Sequence, residues 1–205
     1  MPGTEDETET VLQTCHTLNE TQQEKLLVLA RQAIAYYLEN ERFMEVSSDD
    51  PGLKQKAGAF VTLRTRWEPG LPPDEAARLR GCMGHMEADE QLLKLVPVIA
   101  VKSALRDPRF PPVTAVELPK LLLEISVLSS FTPVTDVTEI ELGVHGLVIQ
   151  SGRKRGLLLP QVPGLFDWTL DEYLEAICRK AGMHPGAWRS STLLKFTTQG
   201  FEEDE

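Results

Sequence analysis

The segment LRGCMGH, residues 79–85, places a cysteine between two glycines, two residues after an arginine. A cation near a thiol favours the thiolate, the nucleophilic form of cysteine. On a strand, side chains alternate between two faces: Arg80, Cys82 and Gly84 on one, Leu79, Gly81 and Met83 on the other. Gly81 and Gly84 would let a ligand or a backbone approach closely. Cys82 is therefore a candidate nucleophile, with Arg80 as the group that activates or orients it.

The same segment also has a purely structural interpretation. Free cysteines are mostly buried and inert, and the glycines would relieve crowding where a sheet packs closely. His85 is three residues from Cys82, so on a strand the two point to opposite faces and a direct pair needs a bulge or turn at Gly84. A Cys–His metal site would need further ligands, which this segment does not supply.

A second candidate site is the segment RDPRFPP, residues 106–112. Arg106, Asp107 and Arg109 could hold an anionic group. In the structural alternative, Asp107 caps the turn or pairs with an arginine while Phe110 fills the core. Because a residue before proline is driven out of the helical region, the segment must be extended or turned.

A third candidate lies on a predicted strand over residues 120–130, where Glu124 and Ser126 share the polar face. Glu124 could act as an acid or base, or pair with Arg80. A salt bridge or a solvated sheet face is the simpler alternative. His145 begins another predicted strand and suits a structural hydrogen bond as well as ligand binding.

Charge and composition restrict the class of protein. Residues 1–9 and 202–205 each carry four acidic and no basic side chains, so only two of the ten net negative charges belong to the rest of the 205-residue chain. A broad basic surface for duplex DNA is absent. The basic cluster at residues 153–155 could bind RNA phosphates, although a charged hairpin tip that aids solubility is the commoner arrangement.

The cysteines and the apolar runs indicate the compartment. Cys15, Cys82 and Cys178 cannot all pair and lack the short spacing of a metal site, and Cys178 lies on the apolar face of a predicted helix. The N-terminus has no apolar signal region, and the longest apolar run, residues 96–101, is too short to span a bilayer. We expect a cytoplasmic protein with free thiols and no membrane contact.

Hydrophobic periodicity predicts an α+β fold with antiparallel sheets and flanking helices, because strands and helices come in mixed order with short or hairpin-like links. The first helix, 21–40, should begin with a Thr21–Glu24 capping box, and the last, 169–182, with a Thr169–Glu172 box. Pro97 should open a helix that ends near residue 106. The predicted strands are 58–67, one that begins with residues 79–84 and pairs with it, 120–130, a hairpin over 145–161, and 193–201.

Six short segments occur in an order that resembles the AMMECR domain family, whose microbial members are called AmmeMemoRadiSam system protein A. They are LRGCMG (79–84), RDPRFPP (106–112), ISVLS (125–129), HGL (145–147), GLLLPQV (156–162) and CRKAG (178–182). The resemblance covers residues 21–201. Met83 stands where the family usually has isoleucine, and the insertion at 68–78 looks longer than usual.

The resemblance implies two unequal subdomains around a cleft, the larger built from both chain ends and the smaller inserted between them. The domain is expected over residues 19–201, and the charge distribution described above predicts a flexible acidic tail at 1–18 and another at 202–205. In the family, the strand with the LRGC-type motif lines the cleft. Carried over, this puts Leu79, Arg80, Gly81, Cys82, Met83 and Gly84 at the subdomain interface. The other candidate binding residues come from the residue patterns described above: His85, Arg106, Asp107, Arg109, Ser126 and His145.

Two functional hypotheses follow. In the first, the protein is an enzyme or enzyme subunit that uses Cys82, with Arg80 and Glu124, on a large substrate in RNA modification or translation. The resemblance further implies a pathway shared with a Memo-type protein and a radical SAM protein. In the second, the protein is a non-catalytic binding module for a protein or RNA partner. The sequence indicates no particular cofactor.

Overall fold

The computed structural model describes residues 17–66 and 78–204. Its helices are α1 (Glu20–Asn40), α2 (Pro51–Lys54), α3 (Leu92–Leu105), α4 (Val162–Leu165) and α5 (Leu170–Lys180). Its strands are β1 (Ala59–Thr65), β2 (Leu79–His85), β3 (Leu121–Leu128), β4 (Thr132–Pro133), β5 (Gly146–Ser151), β6 (Lys154–Leu158), β7 (Thr192–Phe196) and β8 (Thr198–Glu202). The strands form two antiparallel sheets, which confirms the predicted α+β class.

The first sheet has the strand order β2–β1–β3–β8. One of its faces is apolar and packs against α1 and α3, so Val61, Leu63 and Ile125 are fully buried. The predicted pairing of the strand at 58–67 with the LRGCMG strand is confirmed as β1 against β2. The opposite face of this sheet carries the polar residues discussed below.

The second sheet has the order β4–β7–β5–β6 and comes entirely from the segment between β3 and β8. Helix α5 packs on it around the fully buried Tyr173 and Cys178, so the prediction that Cys178 lies in a core is confirmed. A smaller cluster that includes Leu128, Val148 and Phe196 joins the two sheets.

The chain crosses between the sheets in two adjacent places. Residues 129–131 lead from β3 to β4, and Thr197 alone separates β7 from β8. The amide of Ser129 donates to the carbonyl of Thr197 at 2.9 Å, and the amide of Thr197 donates to Oγ of Ser129 at 2.9 Å. The single strand predicted over 193–201 is wrong: it divides at Thr197 into β7 and β8, which belong to different sheets, and no glycine or proline marks the crossing at Thr197.

Helix α1 begins earlier than predicted. Asn19 is the N-cap: its side chain accepts from the amide of Gln22, whose side chain accepts from the amide of Asn19, both at 3.0 Å. This capping box replaces the predicted Thr21–Glu24 box. Leu18, only 1% exposed, packs into the core and places Asn19 at the helix start. In α5 the predicted Thr169–Glu172 box is confirmed.

Helix α3 runs through Pro97, which we had expected to be its first residue. Proline removes one amide donor from the helix interior and disfavours helix before it. Leu92, Leu93 and Val96, all before the proline, are at most 3% exposed. Burial of these side chains in the core outweighs the local cost, so the helix starts one and a half turns earlier.

Some residues assigned to the acidic tails belong to the folded part of the chain. The N-terminal tail was placed at 1–18, but Leu18 is part of the core, and residues 1–16 with Cys15 lie outside the described residues. The C-terminal tail was placed at 202–205, but Glu202 ends β8 and Glu203 accepts hydrogen bonds from Arg31 at 2.6 and 2.5 Å. Most of the insertion at 68–78 also lies outside the described residues.

Candidate functional site

Four side chains form one row across the polar face of the first sheet. Strand pairing sets Cys82 opposite Thr62, Thr62 opposite Glu124, and Glu124 opposite Glu202. Directly paired residues in a sheet point to the same face. The structure therefore brings Cys82 and Glu124 onto one surface, with the width of β1 between them.

Cys82 is half-buried and accepts a hydrogen bond from the Thr62 hydroxyl to Sγ at 3.3 Å. Burial raises the pKa of the Cys82 thiol; the Thr62 hydrogen bond and the charge of Arg109 oppose that rise only in part. The arginine that lowers this pKa is Arg109 and not the expected Arg80, and its effect is outweighed by burial. Desolvation of the thiol is the larger effect.

Arg80 does not activate Cys82, because it is engaged elsewhere. The strand register shifts opposite Arg80, between Leu63 and Arg64. The guanidinium binds the Glu117 carboxylate through Nε at 2.5 Å and Nη2 at 3.1 Å, and it lies 6.0 Å from the centre of the Phe110 ring. The proposed pair of Arg80 with Glu124 does not form.

Asp107 ties the RDPRF segment to the LRGC segment. Its carboxylate accepts from the amide of Cys82 at 2.8 Å and from the Arg109 guanidinium at 2.7 and 3.0 Å, and the side chain is 2% exposed. These contacts hold the pKa of Asp107 well below its usual range, the Arg109 hydrogen bond most of all. This matches the structural alternative for Asp107. Phe110, however, is only partly buried and lies under the guanidinium of Arg109.

The glycines beside Cys82 are required by packing. A Cβ on Gly81 would lie 2.2 Å from the carbonyl oxygen of Ser103 in α3, and one on Gly84 would lie 2.2 Å from the Phe60 ring. The buried Ser103 hydroxyl also donates to the carbonyl of Val61 and accepts from the amide of Met83. The glycines on either side of Cys82 are therefore explained by the close approach of α3 and β1 to β2.

Glu124 is held by an arginine on the neighbouring strand. Its Oε2 lies 2.5 Å from Nη2 of Arg64, and its Oε1 accepts weakly from Oγ of Ser126 at 3.4 Å and from Nε2 of Gln161 at 3.5 Å. Ser126 is 3% exposed. The predicted common face of Glu124 and Ser126 is confirmed, and the side chains touch.

A cavity of about 340 Å³ opens over this part of the sheet, which we call the polar cavity. Its lining comes from the first sheet and from the segment between β3 and β8. The first sheet contributes Arg64, Glu124, Ser126, Thr198, Gly200, Phe201 and Glu202, and the segment contributes Gly143, Pro160 and Gln161. Residues 79–84 do not line this cavity, because β2 and β8 lie at opposite edges of the sheet. That residues 79–84 line a cleft between two subdomains stays a prediction.

Two predicted histidines have structural partners. His85 contacts Asp89 at 2.7 Å through Nε2 and has no contact with Cys82, and Nδ1 of His145 accepts from the amide of Glu141 at 3.0 Å. Among residues 17–66 and 78–204, no group of three or more His, Cys, Asp or Glu is placed to hold a metal ion. Arg106 is exposed at the end of α3.

Sequence reasoning missed several walls of the polar cavity. Arg64 lies in the predicted strand 58–67 but was not singled out, and Glu202 was assigned to the tail. Because side chains alternate along a strand, Arg64 and Thr62 are predicted to share a face, and this pattern could have identified Arg64. Gln161 and Gly143 belong to the second part of the chain, and no local pattern connects them to β3.

The AMMECR1 family model matches residues 27–201. The chain belongs to the AMMECR1 family. An AMMECR1-family relative in Thermococcus gammatolerans is 40% identical over 189 residues, which cover 88% of this chain and 90% of that protein. One from Thermofilum pendens is 38% identical over 187 residues, covering 87% and 88%.

The fold is also shared with a solved structure. The crystal structure of an uncharacterised Pyrococcus horikoshii protein superposes with a TM-score of 0.84 at 36% identity, covering 91% of this chain and 94% of that one. Within the described residues, no helix has both the length and the apolarity needed to cross a bilayer.

Proposed function

We propose that this AMMECR1-family protein is a non-catalytic binding module that holds a basic side chain of a protein partner in the polar cavity. The observation that carries the proposal is the charge of this cavity. Among the residues that line the cavity, two carboxylates, Glu124 and Glu202, accompany one cation, Arg64. A lysine or arginine side chain would complement that charge and add hydrogen bonds to the carboxylates.

Glu202 is the more exposed of the two cavity carboxylates. Glu124 is 15% exposed and closely held by Arg64, whereas the side chain of Glu202 is 61% exposed and lies 3.5 Å from the same guanidinium. Glu124 therefore shapes the floor of the polar cavity, and Glu202 presents a carboxylate at its rim. An incoming cation would meet Glu202 first.

Exposed apolar residues at the rim favour a protein partner. Leu142 and Val144, 38% and 42% exposed, flank Gly143 of the cavity wall. Leu165, 45% exposed, donates its amide to the carbonyl of Gln161, another wall residue. Apolar surface beside a charged pocket is typical of protein interfaces.

RNA is the weaker alternative, because the basic cluster is largely engaged. Arg155 forms an ion pair with Glu87, and Lys154 donates to the carbonyl of Gly182 at 2.6 Å. An RNA site needs several cations that can reach phosphates. Cysteine catalysis is disfavoured as well, since burial raises the pKa of the Cys82 thiol and so works against the nucleophilic thiolate.

A cavity-filling variant tests the proposal. A Cβ on Gly200 would meet open space, so Gly200→Leu should fill the polar cavity without disturbing the sheet. Gly164→Leu is the matched control, because a Cβ there also meets open space and Gly164 does not line the cavity. Both variants should keep the wild-type thermal midpoint within a few degrees.

The probes are Leu-Arg-Phe-amide, with a fluorophore attached to its N-terminus through a linker, and the same labelled peptide with Gln or Glu at the centre. Fluorescence polarisation should show the Arg peptide binding about tenfold more tightly than the Gln peptide, the scale of a charged hydrogen bond. Gly200→Leu should abolish binding, and Cys82→Ser should leave it unchanged. Equal binding of the Arg and Gln peptides, or unchanged binding by Gly200→Leu, would refute the proposal. Memo-type and radical SAM proteins are the first whole partners to assay.

A further inference from the structure

A second cavity of about 390 Å³ lies on the other side of the crossing between the sheets, and we call it the junction cavity. Its floor comes from Ala57, Met86, Leu128 and Phe131, and its lining is mostly apolar. Its volume is in the range of small-molecule sites. The function proposed above makes no use of it.

Charged residues surround this apolar floor. Lys56 and Arg155 contribute two cations against the carboxylate of Glu87, which is ion-paired with Arg155. Lys56 is exposed, and within the ranges 17–66 and 78–204 it forms no salt bridge. Asp89 is close enough to sense its charge, but Asp89 is in contact with His85. Among the residues that line the cavity, two cations therefore accompany one carboxylate.

The junction cavity is lined by residues from both sheets and from the segments that follow their strands. Arg155 belongs to β6 of the second sheet, whereas Glu87 follows β2 of the first. Their ion pair spans the two layers beside Phe131, which packs edge-on against Phe196 at a ring distance of 5.4 Å. These contacts give the cavity fixed walls, so its shape exists before any ligand arrives.

We propose that the junction cavity binds a small carboxylic acid with an apolar body, the carboxylate at Lys56 and the apolar body against Met86, Leu128 and Phe131. An aromatic or branched chain fits the apolar floor and removes its surface from water. The carboxylate answers the positive charge at the mouth. A neutral or cationic molecule of the same shape gains the burial of its apolar body but lacks the contact between a carboxylate and Lys56.

Methyl NMR of the full chain labelled with 13C-methyl methionine tests this assignment. The probes are phenylacetate, phenylacetamide and 2-phenylethylamine, which share a body and differ in charge. Phenylacetate should shift the Met86 methyl saturably, the amide should bind at least about threefold more weakly, and the amine more weakly still. Met83 and Met183, which pack in two separate cores, are internal controls and should not move.

Two variants connect the result to the site. Lys56→Gln should weaken phenylacetate binding about two- to fivefold, the scale of one exposed charge pair, and leave phenylacetamide binding unchanged. Lys54→Gln removes a neighbouring exposed lysine outside the cavity and should have no effect. Ala88→Phe should block the mouth, where Ala88 is exposed.

Three outcomes would overturn the assignment: no shift of Met86, equal binding of acid and amide, or joint movement of all methionine methyls. Gly200→Leu does not touch the junction cavity. Failure of one site therefore leaves the test of the other intact.

Discussion

The backbone amide of Cys82 donates a hydrogen bond of 2.8 Å to the carboxylate of Asp107. The LRGCMG segment is thus bound to Asp107 through its backbone, while the Cys82 thiol contacts Thr62 on the next strand. Arg109 completes the contact by binding Asp107 and by donating to the carbonyl of Cys82 at 3.4 Å. Two of the motifs shared with the family hold each other in place.

Replacing the carboxylate at this junction should destabilise the fold. Asp107→Asn exchanges one acceptor oxygen for a donor that faces the Cys82 amide or the Arg109 guanidinium. We expect a loss of about 1–3 kcal/mol in the free energy of unfolding, measured by urea denaturation. Asp49→Asn, at a fully exposed carboxylate, is the control and should change stability little. Equal stability of the two variants would mean that Asp107 is dispensable.

The same carboxylate should govern part of the acid response. Its pKa is depressed in the folded protein, so its stabilising contribution is complete above about pH 4 and is lost as the pH falls below that value. Stability measured from pH 6 to pH 2 should therefore fall less steeply in Asp107→Asn than in the wild type. Parallel curves would assign the acid sensitivity to other groups.

The Cys82 thiol should react slowly. Because burial raises its pKa, iodoacetamide should alkylate Cys82 more slowly in the native protein than in urea, with an apparent pKa above the value of about 8.5 for a free thiol. Thr62→Val removes the hydroxyl that donates to Sγ and should raise the apparent pKa further. Peptide mass spectrometry gives the rate for each cysteine. An apparent pKa below that of a free thiol would restore the nucleophile hypothesis.

Gly81 should tolerate no side chain. Gly81→Ala sets a methyl group against the Ser103 carbonyl of α3, and we expect a loss of about 3 kcal/mol or more because backbone must move. Gly200→Ala is the matched control, since its methyl group meets open space on another strand of the same sheet. Thermal unfolding of the two proteins makes the comparison. A small loss at Gly81 would show that α3 can shift away from β2.

Glu203 should anchor the end of the chain. It accepts from the Arg31 guanidinium and from the amide of Leu123 at 2.9 Å, and its side chain is 16% exposed. Glu203→Gln should cost about 1–3 kcal/mol, whereas Asp204→Asn, at an exposed residue, should cost little. Urea denaturation of the full-length variants tests this difference, and equal midpoints would place the chain end outside the fold.

Sequence reasoning succeeded where a local pattern decides the structure. The Thr169–Glu172 box and the hairpin around residues 152–153 depend on residues a few positions apart, and both were found. The start of α1 failed because two capping boxes overlap there, and the burial of Leu18 selects the earlier one.

Pairings across the sheet were less accessible. Glu124 was placed on the correct face, but its cation was taken from β2 instead of the adjacent β1, where Arg64 lies nearer. The sign of the Cys82 pKa shift failed for a related reason. Desolvation depends on how much protein surrounds the thiol, and nearby residues in sequence do not reveal that.

The hydrogen bond between Ser129 and Thr197 has a consequence for the ancestry and engineering of the chain. The chain leaves the first sheet at Ser129 and returns to it at Thr197, which lies beside Ser129. Residues 130–196 therefore have the geometry of a segment inserted into the first sheet's connectivity. Joining Ser129 directly to Thr197 would need only a tight turn. A protein without residues 130–196 would keep all four strands of the first sheet but would expose the apolar cluster around Leu128. For this shortened protein to fold alone, that surface would have to be made polar.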